Sequence, residues 1–252
     1  MCRTRYGLNR AWTQRRCGVS YCQTLAAILA AISLFASAFA CAAAQGCPSV
    51  EPTLALEVLL PPACDACDET RGELAELLAL QQARTSQQVE HAELDYERSI
   101  HRFLDGVGVV IKEDQLGAAT QFFECVAKTV SEAVGRGKQK FNRTRPYVLS
   151  PELHVLKEVR PDDSSSYPSG HAAYGMAVGL LLAGMVPDMR DKFYNRIQDY
   201  GFSRMIAGAH FRSDVYAGLL LGAAMITVFY QNPQFTGALA DASVDLRRSL
   251  VH

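Results

Sequence analysis

Runs in which apolar and polar residues alternate are missing from this sequence, and so are internal repeats. Half-buried β-strands show such alternation, so its absence argues against a sheet, and repeat architectures are excluded as well. Apolar residues instead recur at helical intervals, for example at Leu116, Phe122, Phe123, Val126, Val130 and Val134. We therefore predict an all-α fold, a single-domain compact helical bundle.

Acidic residues are absent from the first 44 positions, which contain five arginines. The arginines precede an uncharged apolar run from Leu25 to Ala44 that ends in small residues, which is typical of a secretory signal peptide. Small-x-small sites allow cleavage after Ala40 or Ala44, and we favour Ala44 because an even number of cysteines then remains. A lipoprotein modified at Cys41 and an uncleaved anchor are the alternatives. The predicted location is periplasmic or secreted.

The chain is divided by composition into a signal peptide at 1–44, a Pro/Cys-rich extended arm at 45–69 and a helical domain at 70–252. In that domain we predict helices over 70–95, 97–111, 114–134, 172–185, 188–207 and 215–230, and a short one after Pro233. Residues 135–168 are predicted to be a loop because glycine and proline are frequent there. Thr70 and Glu73 have capping-box spacing, which places the start of the first helix at Thr70.

Long hydrophobic runs and excess positive charge are both missing after residue 44. The apolar stretches behind His171 and Asp214 span only about 15 to 17 residues, short of the roughly 20 that cross a bilayer, so we predict no stable membrane insertion after signal cleavage. The 208 residues after the signal carry 20 basic and 26 acidic side chains. No nucleic-acid partner is therefore expected, and any anion site must be a local concentration of positive charge.

The sequence lacks the set of ligands that binds zinc. One C-x2-C pair occurs, Cys64-x2-Cys67, but no second pair or histidine cluster follows it. With Cys47 and Cys125 it gives four cysteines after the signal peptide. We predict disulfides, local or crossed, with three connectivities left open. We predict no metal ion and no cofactor.

Three segments hold candidate functional residues: KQKFNRTRP from Lys138, SYPSGH ending at His171, and SRMIAGAHFRSD from Ser203. Lys138 and Arg145 are seven residues apart, which on a helix is one face. Lysine and arginine together grip phosphate oxygens, although a solvated basic loop has the same composition. His171, directly after Pro-Ser-Gly, would lie at a helix N-terminus, where backbone N–H groups favour an anion, unless Ser169 is simply a helix cap.

The third segment has the spacing of a nucleophilic histidine and its orienting carboxylate. Asp214 lies four residues after His210, from where it would accept the Nδ1 proton and leave Nε2 to attack. Asp214 as the N-cap of the next helix is the structural alternative. Arg204 and His210 are six apart, so a bend near Gly208 is needed if both face one site.

Together the segments resemble the K-x6-RP, PSGH and SR-x5-H-x3-D signature of bacterial class A non-specific acid phosphatases. These belong to the superfamily of the type-2 phosphatidic acid phosphatases and the vanadium-dependent haloperoxidases. All eleven specified positions are present, namely Lys138, Arg145, Pro146, Pro168, Ser169, Gly170, His171, Ser203, Arg204, His210 and Asp214. Two positions depart from the usual pattern, because Ala209-His210-Phe211 replaces aromatic-His-Trp and Ala172 replaces threonine.

The resemblance implies a role for each residue of a site between the core helices. His210 would attack phosphorus and form a phosphohistidine, with Asp214 orienting it and His171 protonating the leaving alkoxide. Phosphate binding is implied for Lys138, Arg145, Ser169, the Gly170 backbone N–H and Arg204. The expected activity is metal-independent hydrolysis of small phosphate monoesters over a broad range, with phosphotransfer to an acceptor that outcompetes water.

Three other functions are weighed against this one: a vanadate-dependent haloperoxidase, a membrane-associated lipid phosphatase and a non-catalytic anion-binding protein. Haloperoxidases are generally longer, and spanning helices are not predicted. The preferred phosphomonoester and the oligomeric state, a homo-oligomer included, are left open by the sequence. We further expect Tyr147 and Tyr167, which flank the motifs, to line the substrate mouth.

Overall fold

The computed structural model describes residues 54–61, 64–157 and 165–250, which all belong to one compact unit. Ten α-helices and no strand are found in these ranges, so the all-α prediction is confirmed. The helices are α1 (Leu56–Leu59), α2 (Asp68–Ala83), α3 (Ser86–Leu94), α4 (Ile100–Asp105), α5 (Gly117–Phe141), α6 (Pro146–Leu149), α7 (Gly170–Met185), α8 (Arg190–Ile206), α9 (Arg212–Tyr230) and α10 (Pro233–Ser249). The predicted signal peptide, both cleavage sites and Cys47 lie outside the described residues.

The helix predicted over 70–95 is two helices, α2 and α3. The first ends at Ala83, and Thr85 is the N-cap of the second. The Thr85 side chain accepts from the Gln88 N–H at 3.2 Å, and the Gln88 side chain accepts from the Thr85 N–H at 2.9 Å. This reciprocal capping box competes with continuation of the helix. The capping box predicted at Thr70 and Glu73 is wrong, because α2 already begins at Asp68.

Helix α5 continues through Gly135 and Gly137 to Phe141, into the predicted loop. Gly137 is required there, because a Cβ would lie only 2.7 Å from Cδ of Pro168. The helix ends at Asn142, which has left-handed backbone geometry with φ 44°. Lys138 is therefore part of α5, whereas Arg145 lies beyond the end of that helix, so the two residues do not share one helix face.

The core is built around α7, which packs on α9, α8 and α5. Twelve of its sixteen residues are buried, so it is apolar on every side. A Cβ at Gly218 of α9 would overlap the Ser169 carbonyl oxygen, and one at Gly222 would overlap that of Ala173. The backbones of α7 and α9 thus touch, and this contact fixes the N-terminal ends of the two helices beside each other.

One described helix, α9, is long and apolar enough to cross a membrane, with 19 residues and a mean hydropathy of 1.4. The length estimated from sequence was too short, because the helix begins before Asp214. A core helix meets the same criteria, and α9 has eight buried residues, including Asp214 and the glycines that contact α7.

Cys64 and Cys67 are free thiols, so a local disulfide between them is not formed in this structure. Cys125 is disulfide-bonded. Tyr167 is 1% exposed, its hydroxyl donates to the Pro61 carbonyl and its ring packs edge-on against Phe141. It does not line a substrate mouth, contrary to the expectation from its place in the motif.

Candidate active site

The motif residues lie at the ends of five helices that meet at one end of the core. Lys138 is in the last turn of α5, and Arg145 directly precedes α6. Ser169 caps α7, Arg204 is in the last turn of α8, and Asp214 is in the first turn of α9. Helix ends leave backbone groups without intrahelical partners, so such a convergence favours polar chemistry.

His210 lies in the turn between α8 and α9, and Asp214 orients it. The Nδ1 atom is 3.3 Å from Oδ2 of Asp214, and the imidazole is 3% exposed. The bend predicted near Gly208 is present, since α8 ends at Ile206 and Gly208 has φ +69°. An Nδ1–H tautomer, held by the carboxylate, leaves the Nε2 lone pair for attack.

Asp214 is the third residue of α9 rather than its N-cap, and it closes the turn behind His210. Its Oδ2 accepts the Phe211 N–H at 2.9 Å and the Ser166 hydroxyl, and its Oδ1 accepts from Arg143 Nη1 at 2.7 Å. Burial alone would raise the pKa of this carboxyl, but the contacts with His210, Arg143 and Ser166 lower it. Asp214 is therefore an anion.

Arg145 places a fixed positive charge beside Nε2 of His210. Its Nη1 donates to the Ala209 carbonyl at 2.9 Å and lies 3.3 Å from Nε2 of His210. Burial, followed by the charges of Arg145 and Lys138, outweighs Asp214 and lowers the pKa of His210 to about 4. The imidazole is neutral, as a nucleophile must be, over most of the acid range.

Lys138 is held at the same site by the backbone of the segment before the Pro-Ser-Gly turn. Its Nζ donates to the Ser165 carbonyl at 2.6 Å. The segment is fixed in turn by Ser166, whose N–H donates to the Arg143 carbonyl at 2.8 Å. The turn and the basic segment are thus tied together, which brings the first two motifs side by side.

Arg204 is a buried cation, 1% exposed, with one arm of its guanidinium unused. Nη2 donates to the Ala92 carbonyl at 2.5 Å, Nε donates to the Ser203 hydroxyl at 3.1 Å, and the group stacks on Tyr96 at 4.4 Å. Nη1 has no hydrogen-bond partner among the described residues. Burial lowers the pKa of Arg204. An anion beside Nη1 would compensate this charge.

His171 is the second residue of α7, and its ring is oriented by the chain after α3. Nε2 lies 3.2 Å from the Tyr96 carbonyl, to which it donates, so Nδ1 carries the lone pair of the neutral ring. Burial, Arg204 and Arg98 lower the pKa of His171 well below its ordinary value. Burial and then nearby cations thus lower the pKa of both His171 and His210 in the free protein.

Ser169 has the capping role that was its structural alternative, because its hydroxyl accepts the Ala172 N–H at 3.4 Å. Its own N–H donates to the Asp214 carbonyl at 2.9 Å, which ties α7 to α9. Gly170 is the first residue of α7, where backbone N–H groups lack intrahelical acceptors and attract anions.

Five residues around this site were not recognised as functional from the sequence: Thr70, Glu73, Tyr96, Arg143 and Ser166. For Arg143 a signal existed. In an extended segment, side chains two residues apart lie on the same side, and Thr144 between the arginines pairs with Ser165 in an isolated β-bridge. Arg143 therefore faces the site together with Arg145. The other four depend on tertiary contacts.

Comparison with known families agrees with this geometry. Residues 119–237 match the model of the PAP2 superfamily, and the match includes every motif position from Lys138 to Asp214. This chain contains a PAP2 superfamily domain.

Several relatives of the PAP2 domain are named acid phosphatases. The chain is 31% identical over 170 residues to the non-specific acid phosphatase of Salmonella typhi, covering 65% of this chain and 66% of that protein. It is 36% identical over 120 residues to that of Salmonella typhimurium, covering 45% and 46%. It is 28% identical over 162 residues to an acid phosphatase of Zymomonas mobilis subsp. mobilis, covering 64% and 61%. The chain thus spans about half to two thirds of these relatives.

A bacterial vanadium-dependent iodoperoxidase has a related structure. It is 16% identical, with a TM-score of 0.49, and the likeness covers 69% of this chain and 53% of that one. This degree of likeness adds nothing about the activity of the PAP2 domain.

Proposed function

We propose that the PAP2 domain is a secreted acid phosphatase, which hydrolyses a broad range of small phosphate monoesters through a phosphohistidine at His210 and needs no metal. The observation that supports this most is the state of His210. It is neutral, its Nδ1 is directed at Asp214, and its Nε2 lies beside the Arg145 guanidinium. Secretion rests on the arginine-rich, then apolar, first 44 residues.

The charges of the site match a phosphate monoester dianion. Arg143 contacts the carboxylates of both Glu73 and Asp214, so this group carries a single net negative charge. Lys138, Arg145 and Arg204 add three positive charges, so the net charge of the site is positive. Phosphoryl transfer depends mainly on positioning and on neutralising charge on the equatorial oxygens, which fixed cations do without a metal ion.

In the first step His210 Nε2 attacks phosphorus, the P–N bond forms and the ester P–O bond breaks. His171 donates its Nδ1 proton to the leaving oxygen, because Nε2 is engaged with the Tyr96 carbonyl. The substrate monoanion brings this proton to His171, and the charge of the dianion that remains raises the pKa of His171 and so stabilises the protonated state that the free protein lacks. In the second step His171 takes a proton from water, which attacks phosphorus and releases His210. An alcohol that replaces water is phosphorylated.

The pH dependence of kcat/KM is expected to be bell-shaped with an acid optimum. Below pH 4 the rate falls, because His210, with a pKa of about 4, becomes protonated and loses its lone pair. Above about pH 6 it falls, because the substrate loses its last proton near that pH and no longer brings a proton for His171 to the free enzyme. Steady-state rates from pH 3 to 9 test this, and a flat profile or an alkaline optimum would contradict it.

Hydrolysis of p-nitrophenyl phosphate by the purified protein is expected to proceed at the same rate with and without EDTA. Vanadate is expected to compete with the substrate, because it offers the same oxygens to the three cations. A rate that disappears with chelator and returns with a divalent cation would refute metal independence. Bromide oxidation with vanadate and peroxide, without phosphatase activity, would favour the haloperoxidase alternative.

A further inference from the structure

We propose that Arg143 is a positioning residue for this reaction, which holds the Asp214 carboxylate in the orientation that His210 needs and fixes it to helix α2. The proposal rests on the proposed function. Arg143 lies within the basic segment but is not one of its motif positions. In the contacts described here it binds carboxylates and hydroxyls, and it does not contact either histidine.

The contacts of Arg143 use both arms of its guanidinium. Nη1 donates to Oδ1 of Asp214 at 2.7 Å, and Nη2 donates to Oε2 of Glu73 at 2.9 Å and to the Thr70 hydroxyl at 2.8 Å. The group lies 4.1 Å over the ring of Phe211 and is 3% exposed. The carboxylates of Asp214 and Glu73 and the ring of Phe211 thus fix the planar guanidinium in one orientation.

The two carboxylate oxygens of Asp214 bind different partners because Arg143 occupies one of them. Oδ1 is bound by Arg143, whereas Oδ2 faces Nδ1 of His210 and the Phe211 N–H. The carboxylate is 0% exposed, so water does not replace a lost partner. Without Arg143, Oδ1 loses its cation, so the orientation of the carboxylate depends on the partners of Oδ2 alone and its protonation costs less free energy.

Glu73 extends this arrangement to the start of α9. Its Oε1 accepts the Ser213 N–H at 2.6 Å, and its Oε2 accepts the Ser213 hydroxyl at 2.8 Å. Glu73 thus caps, from α2, the turn that contains Asp214. Glu73 contacts Arg143 but not Asp214, so Glu73→Gln removes one charge partner of Arg143 and leaves the Arg143–Asp214 contact in place.

The test compares Arg143→Lys, Arg143→Met, Glu73→Gln, Asp214→Asn and the double variant Arg143→Met/Asp214→Asn in the full chain. For Arg143→Met we expect kcat to fall roughly 10- to 100-fold, as for lost partners of a site ligand, with KM changed little because the phosphate-binding cations remain. The acid limb of the pH profile moves to higher pH, because the pKa values of Asp214 and His210 both rise when a nearby cation is removed. Glu73→Gln is expected to lower kcat less than Arg143→Met does, because the contact between Arg143 and Asp214 remains.

The double variant separates positioning from a merely structural role. If Arg143 acts through Asp214, the double variant is no slower than Asp214→Asn alone, whereas independent effects multiply. Multiplying effects, or a wild-type kcat and pH profile in Arg143→Met, would overturn the proposal. Arg143→Lys decides the question if the methionine variant does not fold, since a single ammonium replaces the fork, and wild-type behaviour there also overturns it. A wild-type protein inactive on p-nitrophenyl phosphate refutes the proposed function instead.

Discussion

Replacing His210 with alanine is expected to reduce kcat for aryl phosphate hydrolysis by at least about 10⁴-fold, because the group that forms the covalent bond to phosphorus is gone. Phosphate binding is expected to persist, since Lys138, Arg145 and Arg204 reach the site from other elements. The melting temperature of the variant therefore still rises with added phosphate. Steady-state rates and thermal melts with and without phosphate measure both effects.

The matched control for this variant is His154→Ala, because His154 is an exposed histidine outside the three motifs. Its kcat should equal that of the wild type. A second measurement traps the intermediate: wild-type protein mixed with radiolabelled substrate and quenched in alkali should retain label, and the His210 variant should not. Full activity in His210→Ala, or label retained by it, would refute the phosphohistidine mechanism.

The sequence sufficed to predict the parts of this site that depend on local geometry. The bend at Gly208 follows from the six-residue spacing of Arg204 and His210, and the four-residue spacing places Asp214 behind His210. The Pro-Ser-Gly turn predicts a helix N-terminus at His171, and α7 begins at Gly170. In each case the relevant contacts lie within one turn of the chain, where spacing determines distance.

Contacts between distant segments of the chain cannot be predicted from residue spacing. Glu73 and Ser213 are 140 residues apart, and Tyr96 and His171 are 75 apart, so no local pattern marks either pair. The capping-box spacing of Thr70 and Glu73 was even misleading, because both side chains are used by Arg143. The pKa of His171 shows the same limit, since it depends on burial and on Arg204 and Arg98, all of which result from tertiary packing.

Tertiary packing lowers the pKa values of both histidines in the free protein, first by burial and then by bringing cations close. Among the described residues, Asp214 orients His210, and its charge opposes the lowering of that pKa. His171 has a backbone carbonyl as its partner instead, that of Tyr96. In the proposed mechanism, protonation of His171 is therefore coupled to binding of the substrate, whose negative charge takes the place of the carboxylate that this ring lacks. Under this proposal His171 carries its second proton only when a leaving group is bound beside it.

Replacing Arg204 with methionine is expected to lower kcat/KM about 10²- to 10³-fold, the usual effect of removing one donor to a developing charge. Most substitutions of buried residues lower the stability of the fold, but this one should not lower the stability of the ligand-free protein. Arg204 is buried with its Nη1 unpartnered among the described residues, so the ligand-free protein bears the cost of an incompletely paired cation. A methionine of similar length retains the packing on Tyr96 and removes that cost.

Thermal melts with and without phosphate distinguish this explanation from general damage to the fold. We expect the ligand-free Arg204→Met protein to melt no lower than the wild type, and its stabilisation by phosphate to be much smaller. Arg212→Lys is the matched control, because Arg212 pairs with Glu76 at the surface and its side chain is 63% exposed. If Arg204→Met melts lower without phosphate yet keeps the full phosphate-induced shift, Arg204 supports the fold and does not bind the anion. If both quantities follow the expectation, the cost of burying this guanidinium without a partner is what phosphate binding relieves.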